Sequence, residues 1–277
     1  DLLVIGGGIY GAAAAWDATQ RGLAVALVDR EDFGGGTSFN SAKTLHGGVR
    51  SLQSGNITEL RLFVRERRAL SNIVPHLVQP LPFVMPTYAR VERNRWLMRL
   101  YFAVNDLIAH DRNLVRDPAL HLPSSRLLSR DDCLALSPSI DPTGVTGGIE
   151  WHDCQMYNSD RVTLSFLLSA AEHGAVVVNH AEVTGLVWHG DRLRTARVTN
   201  RAQPADPTVS VDTETFDVRA RVVLNCAGPW APELLANLAP QAVSAQPQPL
   251  SKALNLITRR RFVTTHAVAA QARDRLL

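Results

Sequence analysis

The feature that most constrains this chain lies in its first eleven residues. Gly6-Gly7-Gly8-Ile9-Tyr10-Gly11 fits GxGxxG and directly follows the apolar run Leu2-Leu3-Val4-Ile5. A short run without polar interruption is what a parallel strand buried on both faces requires. Ala12 to Gln20 then supply good helix formers with few breakers, and Gly22 marks a C-terminal cap. Ala24 to Val28 form a second buried strand, closed by Asp29. In a strand–turn–helix of this kind Gly6 permits the tight turn, Gly8 lets a pyrophosphate approach the backbone, and Gly11 lets the helix pack on the strand. The helix N-terminus faces the phosphates with its free N–H groups and positive dipole end. Asp29 can accept hydrogen bonds from ribose hydroxyls and repels a 2′-phosphate. The opening therefore predicts a dinucleotide-binding unit, with Ile9 and Arg30 as cofactor neighbours beside these anchor points. The motif alone does not separate FAD from NAD.

Composition removes several alternatives. With 277 residues, 45% apolar and 20% charged, the chain can bury one large core or two, and a disordered or fibrous protein is excluded. The net charge of +3 is small, and the positive charge is almost all arginine, Lys43 and Lys252 being the only lysines. So small a net charge does not signal a nucleic-acid binder, and no nucleic-acid partner is expected. Three cysteines, Cys133, Cys154 and Cys226, form no CxxC pair and leave one over in any disulfide scheme, which points to a reducing compartment. His152-Asp153-Cys154 carries metal-ligating side chains, but neighbours on a strand point to opposite faces, so no metal site is expected. Residues 2–16 lack a basic n-region and are broken by glycines, which argues against a signal peptide, and no segment is long enough to span a bilayer. Opening on Asp1 without an initiator Met, the sequence reads as a fragment.

Further along, residues 33–51 are rich in Gly, Ser, Thr and Asn and read as loop. Asn56, with Glu59 three residues later, starts a helix whose Leu60, Phe63, Val64, Leu70 and Val74 share one side. Pro75, Pro80, Pro82 and Pro86 break up the chain after this helix. Arg90 to His110 reads as a basic amphipathic helix, with Arg93, Arg95 and Arg99 interleaved among Trp96, Leu97, Leu100 and Phe102. Asp160 can cap a helix that runs to His173 and stops at Gly174. Val176–Val178, Val183–Trp188, Leu193–Thr199, Thr215–Arg219 and Val222–Leu224 read as strands.

The segment from Thr37 to Arg50, TSFNSAKTLHGGVR, decides the cofactor. Here the chain resembles the flavin-dependent glycerol-3-phosphate dehydrogenase family, within the superfamily of glycine, sarcosine and D-amino-acid oxidases. Those proteins follow the second strand with a Thr-Ser loop and a Gly-Gly pair, and the dehydrogenases add the Lys-x-x-His-Gly-Gly-x-Arg form seen from Lys43 to Arg50. The likeness continues through Pro75-His76-Leu77, the segment 90–102, Asp153-Cys154, Asp160-Arg161, Asn225 to Trp230, and Lys252, so it covers essentially the whole chain.

The resemblance implies FAD as cofactor, with Thr37, Ser38, Ser41, Lys43, Leu45, His46 and Gly47 lining the pyrophosphate and isoalloxazine ring. Val183 would read the adenine through its backbone, and Ala227 and Gly228 mark where the chain returns to the cofactor. Trp230 fits either a cofactor neighbour or a core aromatic. Arg50 matches the family arginine that binds substrate phosphate, and Lys252 stands at a second catalytic position. Two departures stand out: Ser51 where the family commonly has tyrosine, and Asn255 where a Lys-Gly-Ser-His pattern has histidine. That histidine is a candidate base, and an amide cannot take up a proton.

The fold expected is α/β: a Rossmann-like FAD-binding fold, a parallel sheet flanked by helices, with an interleaved mixed-sheet substrate lobe, C-terminally incomplete. FAD-binding parts are expected at about 1–75, 150–185 and 215–235, and substrate-lobe parts at about 76–149, 186–214 and 236–277. The implied activity is oxidation of glycerol 3-phosphate to dihydroxyacetone phosphate, with hydride taken by the flavin and electrons passed to a quinone or another acceptor. The alternatives are an amine or amino-acid oxidase of the same superfamily and a catalytically silent flavin-binding homologue. A cytoplasmic location is expected, and the basic amphipathic stretch suits a peripheral contact with the inner membrane.

Overall fold

The protein is described from a computed structural model covering residues 1–90, 93–190, 192–202, 214–240, 250–251, 254–259, 265–269, 271–272 and 275–276. In chain order the elements are β1 (Leu2–Ile5), α1 (Ile9–Gln20), β2 (Val25–Val28), β3 (Thr44–Leu45), α2 (Val49–Gln53), α3 (Ile57–Ile73) and β4 (Val78–Tyr88). There follow α4 (Arg95–Ile108), β5 (Arg126–Leu128), α5 (Arg130–Leu136), β6 (Val145–Met156), α6 (Ser159–Glu172), β7 (Val176–Val178), β8 (Ala181–His189) and β9 (Arg192–Asn200). The last are β10 (Thr215–Arg219), β11 (Val222–Asn225), α7 (Ala231–Leu238), β12 (Ala267–Val268), β13 (Gln271–Ala272) and β14 (Arg275–Leu276). They form two units, one from residues 1–42 and 158–255, the other from 43–157 and 256–277.

In the first unit a four-stranded sheet runs in the order β11-β1-β2-β7, every pairing parallel. Leu3 and Ile5 of β1 point to one face and join Val28, Ala181, Val183, Ala196 and Val198 in a buried cluster, against which Leu234 and Leu238 of α7 pack. That face is therefore covered by the antiparallel ribbon β10-β9-β8 together with α7. Truncating Leu3, which is fully buried, to alanine would cost about 2–5 kcal/mol. Helix α1 forms because Ala12 to Ala15 and their neighbours carry high helix propensity, and its buried stripe is built from small residues, Gly11, Ala12, Ala15 and Ala18. It packs on α6 through Trp16, whose ring meets Phe166 edge-on at 5.3 Å and whose indole N–H donates to Ser169 Oγ at 3.2 Å. Gly22, at φ +80°, takes the left-handed conformation that ends α1. For α6 the cap is Asn158, whose side-chain oxygen accepts from the backbone N–H groups of Asp160 and Arg161. Asp160, expected as the cap, sits instead in the first turn, where its charge suits the dipole.

The second unit is built on a mixed sheet in the order β12-β4-β6-β3, with β5 also on β6. Its spine is the antiparallel pairing of β4 and β6 from Val78↔Met156 to Tyr88↔Val145. The prolines expected to break this region lie inside β4. Pro80, Pro82 and Pro86 fall on positions of one parity, so their missing N–H groups all face the same edge. Val84, of the same parity, turns its carbonyl to Ala269 N (2.9 Å) on the β12 side, so the prolines face away from β6 and leave that ladder intact. Helix α4 begins at Arg95, later than expected, because the Asn94 side chain caps the N–H of Trp96. Its Met98 and Phe102 pack on Ile149 and Trp151 of β6, and Trp151 stacks on Phe83 of β4 at 5.1 Å.

Residues 43–75 and 150–157 belong to the second unit, and 186–202 and 236–240 to the first. The hydrogen bonding explains the division: β3 pairs with β6, whereas β8 and β9 share a core with β1 and β2. Among the described residues no helix is long and apolar enough to cross a membrane.

Candidate cofactor site and its supporting loop

The glycine turn between β1 and α1 is packed as the spacing predicts. Gly6 has φ +107°, and a Cβ there would lie 2.6 Å from the Cys226 carbonyl oxygen. A Cβ on Gly11 would lie 1.9 Å from the Gly6 oxygen, so only glycine lets α1 rise this close to the strand end. Gly8 differs: its φ of −73° is ordinary, and its Cβ would meet only Ser38 Oγ, at 3.1 Å. Gly8, at the N-cap of α1, has no side chain to cap the helix, and the first turn holds no acidic residue. An acid-free N-terminus behind an open Gly8, with its Ile9 N–H bonded to Ser38 Oγ, suits the pyrophosphate of a dinucleotide. The residues present fit FAD.

Several anchor groups are bonded to one another. Asp29 Oδ2 accepts from Gly7 N at 2.6 Å and Oδ1 from Glu31 N at 2.9 Å, which leaves further lone pairs for ribose hydroxyls. Ser38 Oγ accepts from Ile9 N at 2.9 Å, tying the loop after β2 to the first turn of α1. Thr37 is exposed beside it. At the end of β11, Ala227 N donates to Asn225 Oδ1 at 3.1 Å, and Gly228 takes φ +57°. The Trp230 ring packs over Gly36, where a Cβ would lie 2.9 Å from Cζ3, and Arg30 lies 5.9 Å above its centroid. Burial pushes the Cys226 thiol above its ordinary value; its backbone carbonyl lies against Gly6 and its Cβ against Gly11. Val183 has its side chain in the buried cluster with Ile5 and Val28, close to the ends of β1 and β2. Asn255 donates from Nδ2 to the Asn40 carbonyl at 2.8 Å, so it fastens the loop that carries Thr37, Ser38 and Ser41. Lys252 lies outside the described residues.

The second unit carries Lys43 to Arg50. Lys43 has φ +59°, and its carbonyl accepts from Met156 N at 2.7 Å. Leu45 pairs with Cys154 across β3 and β6. His46 is half exposed, with Nδ1 at 3.8 Å from Asp153 Oδ2. The Gly47 N–H donates to Asp153 Oδ1 at 2.7 Å, and Arg67 Nη1 makes a short contact to the same oxygen. Gly47 N is thus engaged within the protein, whereas its position in the loop pointed to the flavin oxygens. Gly48, at φ +80°, turns the chain into α2, and Tyr101 donates its hydroxyl to the Val49 carbonyl. Burial pushes the Tyr101 phenol up to about 12, so it remains a neutral donor. Arg50 is exposed on α2, and among the described residues no carboxylate pairs with it. Asp153 and Arg67 are the residues that sequence reasoning missed as supports of this loop. The only signal was the Asp153-Cys154 pair within the resemblance.

Among the described residues no group of three His, Cys, Asp or Glu is placed to hold a metal ion. A glycine-turn βαβ unit with a carboxylate at the second strand end defines the class of dinucleotide-binding proteins. Residues 1–272 match the family model described as FAD dependent oxidoreductase, and the chain belongs to that family. It is 36% identical over 237 residues to a glycerol-3-phosphate dehydrogenase of Mycobacterium leprae, covering 85% of this chain and 37% of that relative. The enzyme of the same name from Synechocystis is 33% identical over 234 residues, covering 84% of this chain and 40% of the relative. Among solved structures, glycerol-3-phosphate dehydrogenase from Bacillus halodurans complexed with FAD superposes with TM-score 0.60 at 25% identity, over 86% of this chain and 36% of that one. L-proline dehydrogenase from P. horikoshii shares the fold at TM-score 0.61 and 16% identity, over 86% of this chain and 55% of that one. The chain therefore spans well under half the length of the glycerol-3-phosphate dehydrogenases it matches.

Proposed function

We propose that this chain is the FAD-binding part of an oxidoreductase that converts glycerol 3-phosphate to dihydroxyacetone phosphate and passes the electrons to a quinone. FAD, when bound, supplies the hydride acceptor; the protein supplies binding and orientation. The observation that carries the reading is the ordered segment Lys43 to Arg50, ending in an exposed arginine without a carboxylate partner among the described residues. A planar guanidinium matches a phosphate with paired donors, and identities of 33–36% to glycerol-3-phosphate dehydrogenases support that assignment. Gly6, Gly8, Ile9, Gly11, Asp29, Arg30, Thr37, Ser38, Ser41, Val183, Ala227 and Gly228 are assigned to the FAD site of the first unit. Lys43, Leu45, His46 and Gly47 are assigned to the flavin side, with Arg50 and Lys252 serving the substrate. Helix α4 suits a peripheral contact with a lipid surface: Trp96, Leu97, Leu100 and Leu107 are exposed, while Arg99 turns inward to Ser125.

An amine-oxidising reading is favoured by one observation, Asn255, whose amide is bonded to Asn40 and cannot act as a base. Anaerobic bleaching of bound flavin by a panel of donors separates the two. Reduction by glycerol 3-phosphate alone supports the proposal. Reduction by sarcosine, glycine or a D-amino acid alone overturns it in favour of the oxidase, and bound flavin that no donor reduces points to a silent module.

A further inference from the structure

The buried ion pair of the second unit has an unusual neighbour. Asp153 of β6 is 3% exposed and Arg67 of α3 is 6% exposed, and their contact falls on Asp153 Oδ1. The same oxygen accepts the Gly47 N–H at 2.7 Å, and Oδ2 lies 3.8 Å from His46 Nδ1. A Cβ on Gly47 would lie 2.2 Å from Arg67 Nη1 and 2.8 Å from Asp153 Oδ1, so the backbone rests directly on the pair. A Cβ on Gly48 would lie 2.8 Å from Phe63 of the same helix α3. Helix α3 thus meets both consecutive glycines, and β6 the first of them, two residues before the segment reaches Arg50.

Burying two charges is a poor way to gain stability, since a well-packed apolar pair of similar volume is commonly as good or better. What a charge pair supplies and an apolar pair does not is a fixed acceptor for the Gly47 N–H. We propose that Arg67 and Asp153 are positioning residues that set the His46–Arg50 segment for its ligands without touching them. The inference rests on reading that segment as a flavin- and substrate-binding loop. The pair holds one backbone amide, and through it the imidazole of His46 and the start of α2.

The test uses the full chain and two readouts: hydrogen exchange of the Gly47 amide, and FAD affinity with the visible circular dichroism of the bound flavin. The double variant Arg67→Met/Asp153→Leu removes both charges together and so avoids leaving either one buried alone. The expected result is a melting temperature near wild type, Gly47 exchange faster by about tenfold or more, FAD affinity lower by about tenfold, and an altered flavin dichroism. A purely structural pair would move the melting temperature and leave affinity and dichroism unchanged well below it. That outcome overturns the proposal. Should the double variant fail to fold, Gly47→Ala displaces the loop with both charges in place, and wild-type FAD affinity in that variant overturns the proposal equally. A wild-type chain that binds no FAD sinks the cofactor reading instead, and the exchange readout still decides the positioning role.

Discussion

Gly6 and Gly8 lie two residues apart in the same turn, yet alanine at each should act through different physics. At Gly6 the φ of +107° is one that L-residues rarely adopt, and the added Cβ would sit 2.6 Å from a backbone oxygen of Cys226 that belongs to the neighbouring strand end. Strain of about 1–3 kcal/mol, with overpacking of similar size, falls on the folded protein before any ligand is considered. At Gly8 the backbone is already in a region open to alanine, and the sole close atom is a serine hydroxyl at 3.1 Å. The cost to the apo fold is then about 1 kcal/mol or less, mostly loss of a favourable N-cap residue. On the proposed reading of Gly8 as the point where the pyrophosphate approaches the backbone, FAD affinity should fall by about tenfold or more. Thermal unfolding without ligand, followed by FAD titration through quenching of flavin fluorescence, reads both quantities. Gly8→Ala should melt within about 2–4 °C of wild type and bind FAD poorly, whereas Gly6→Ala should melt several degrees lower. A Gly8→Ala protein with unchanged FAD affinity would refute the reasoning, as would one destabilised as much as Gly6→Ala.

Three further outcomes concern named groups. Arg50→Ala should weaken binding of phosphorylated substrate by about ten- to a hundredfold, leaving FAD affinity close to wild type; normal kinetics on glycerol 3-phosphate would reject its role. Asn255→His should raise flavin reduction by glycerol 3-phosphate by about 10²–10⁴-fold, with a pH dependence near the imidazole value of about 6.5; a fast parent indifferent to the substitution would show that no base is missing. Burial pushes His152 below its ordinary value, with His266 and Arg126 adding to the effect and Glu150 and Asp153 opposing it. The unfolded chain therefore binds a proton that the folded one resists, so this contribution is present above about pH 6.5 and lost as pH falls below it. Melting curves between neutral and mildly acid pH should show that loss in wild type and a smaller one in His152→Gln; identical slopes would contradict it.

The first unit was legible because its constraints are local. The glycine spacing, the apolar strands and Asp29 all fall within thirty residues, and each demands the same βαβ geometry. The second unit was harder to read for equally physical reasons. Three prolines in β4 look like breakers until the Val84 bond to Ala269 shows that residues of their parity face the β12 edge. Strand β6 lacks a clean alternation, since Trp151 and Asp153 on one face and Glu150 and Cys154 on the other are all buried. Asp29 and Ser38 are bonded to the glycine turn, but hydrogen bonds such as Ser38 to Ile9 leave no sequence pattern. Asp153 reaches Gly47 across 106 positions, and only the fold makes them neighbours.

The glycine turn, Asp29 and the Ser38 loop are proposed to make an FAD site. Equilibrium titration of the chain with FAD, NAD and NADP in parallel, followed by fluorescence and by retained flavin absorbance after gel filtration, tests it most directly. The expected result is one-to-one FAD binding that survives filtration and is weakened by Asp29→Arg. Tight binding of NAD or NADP with no retained flavin would contradict it.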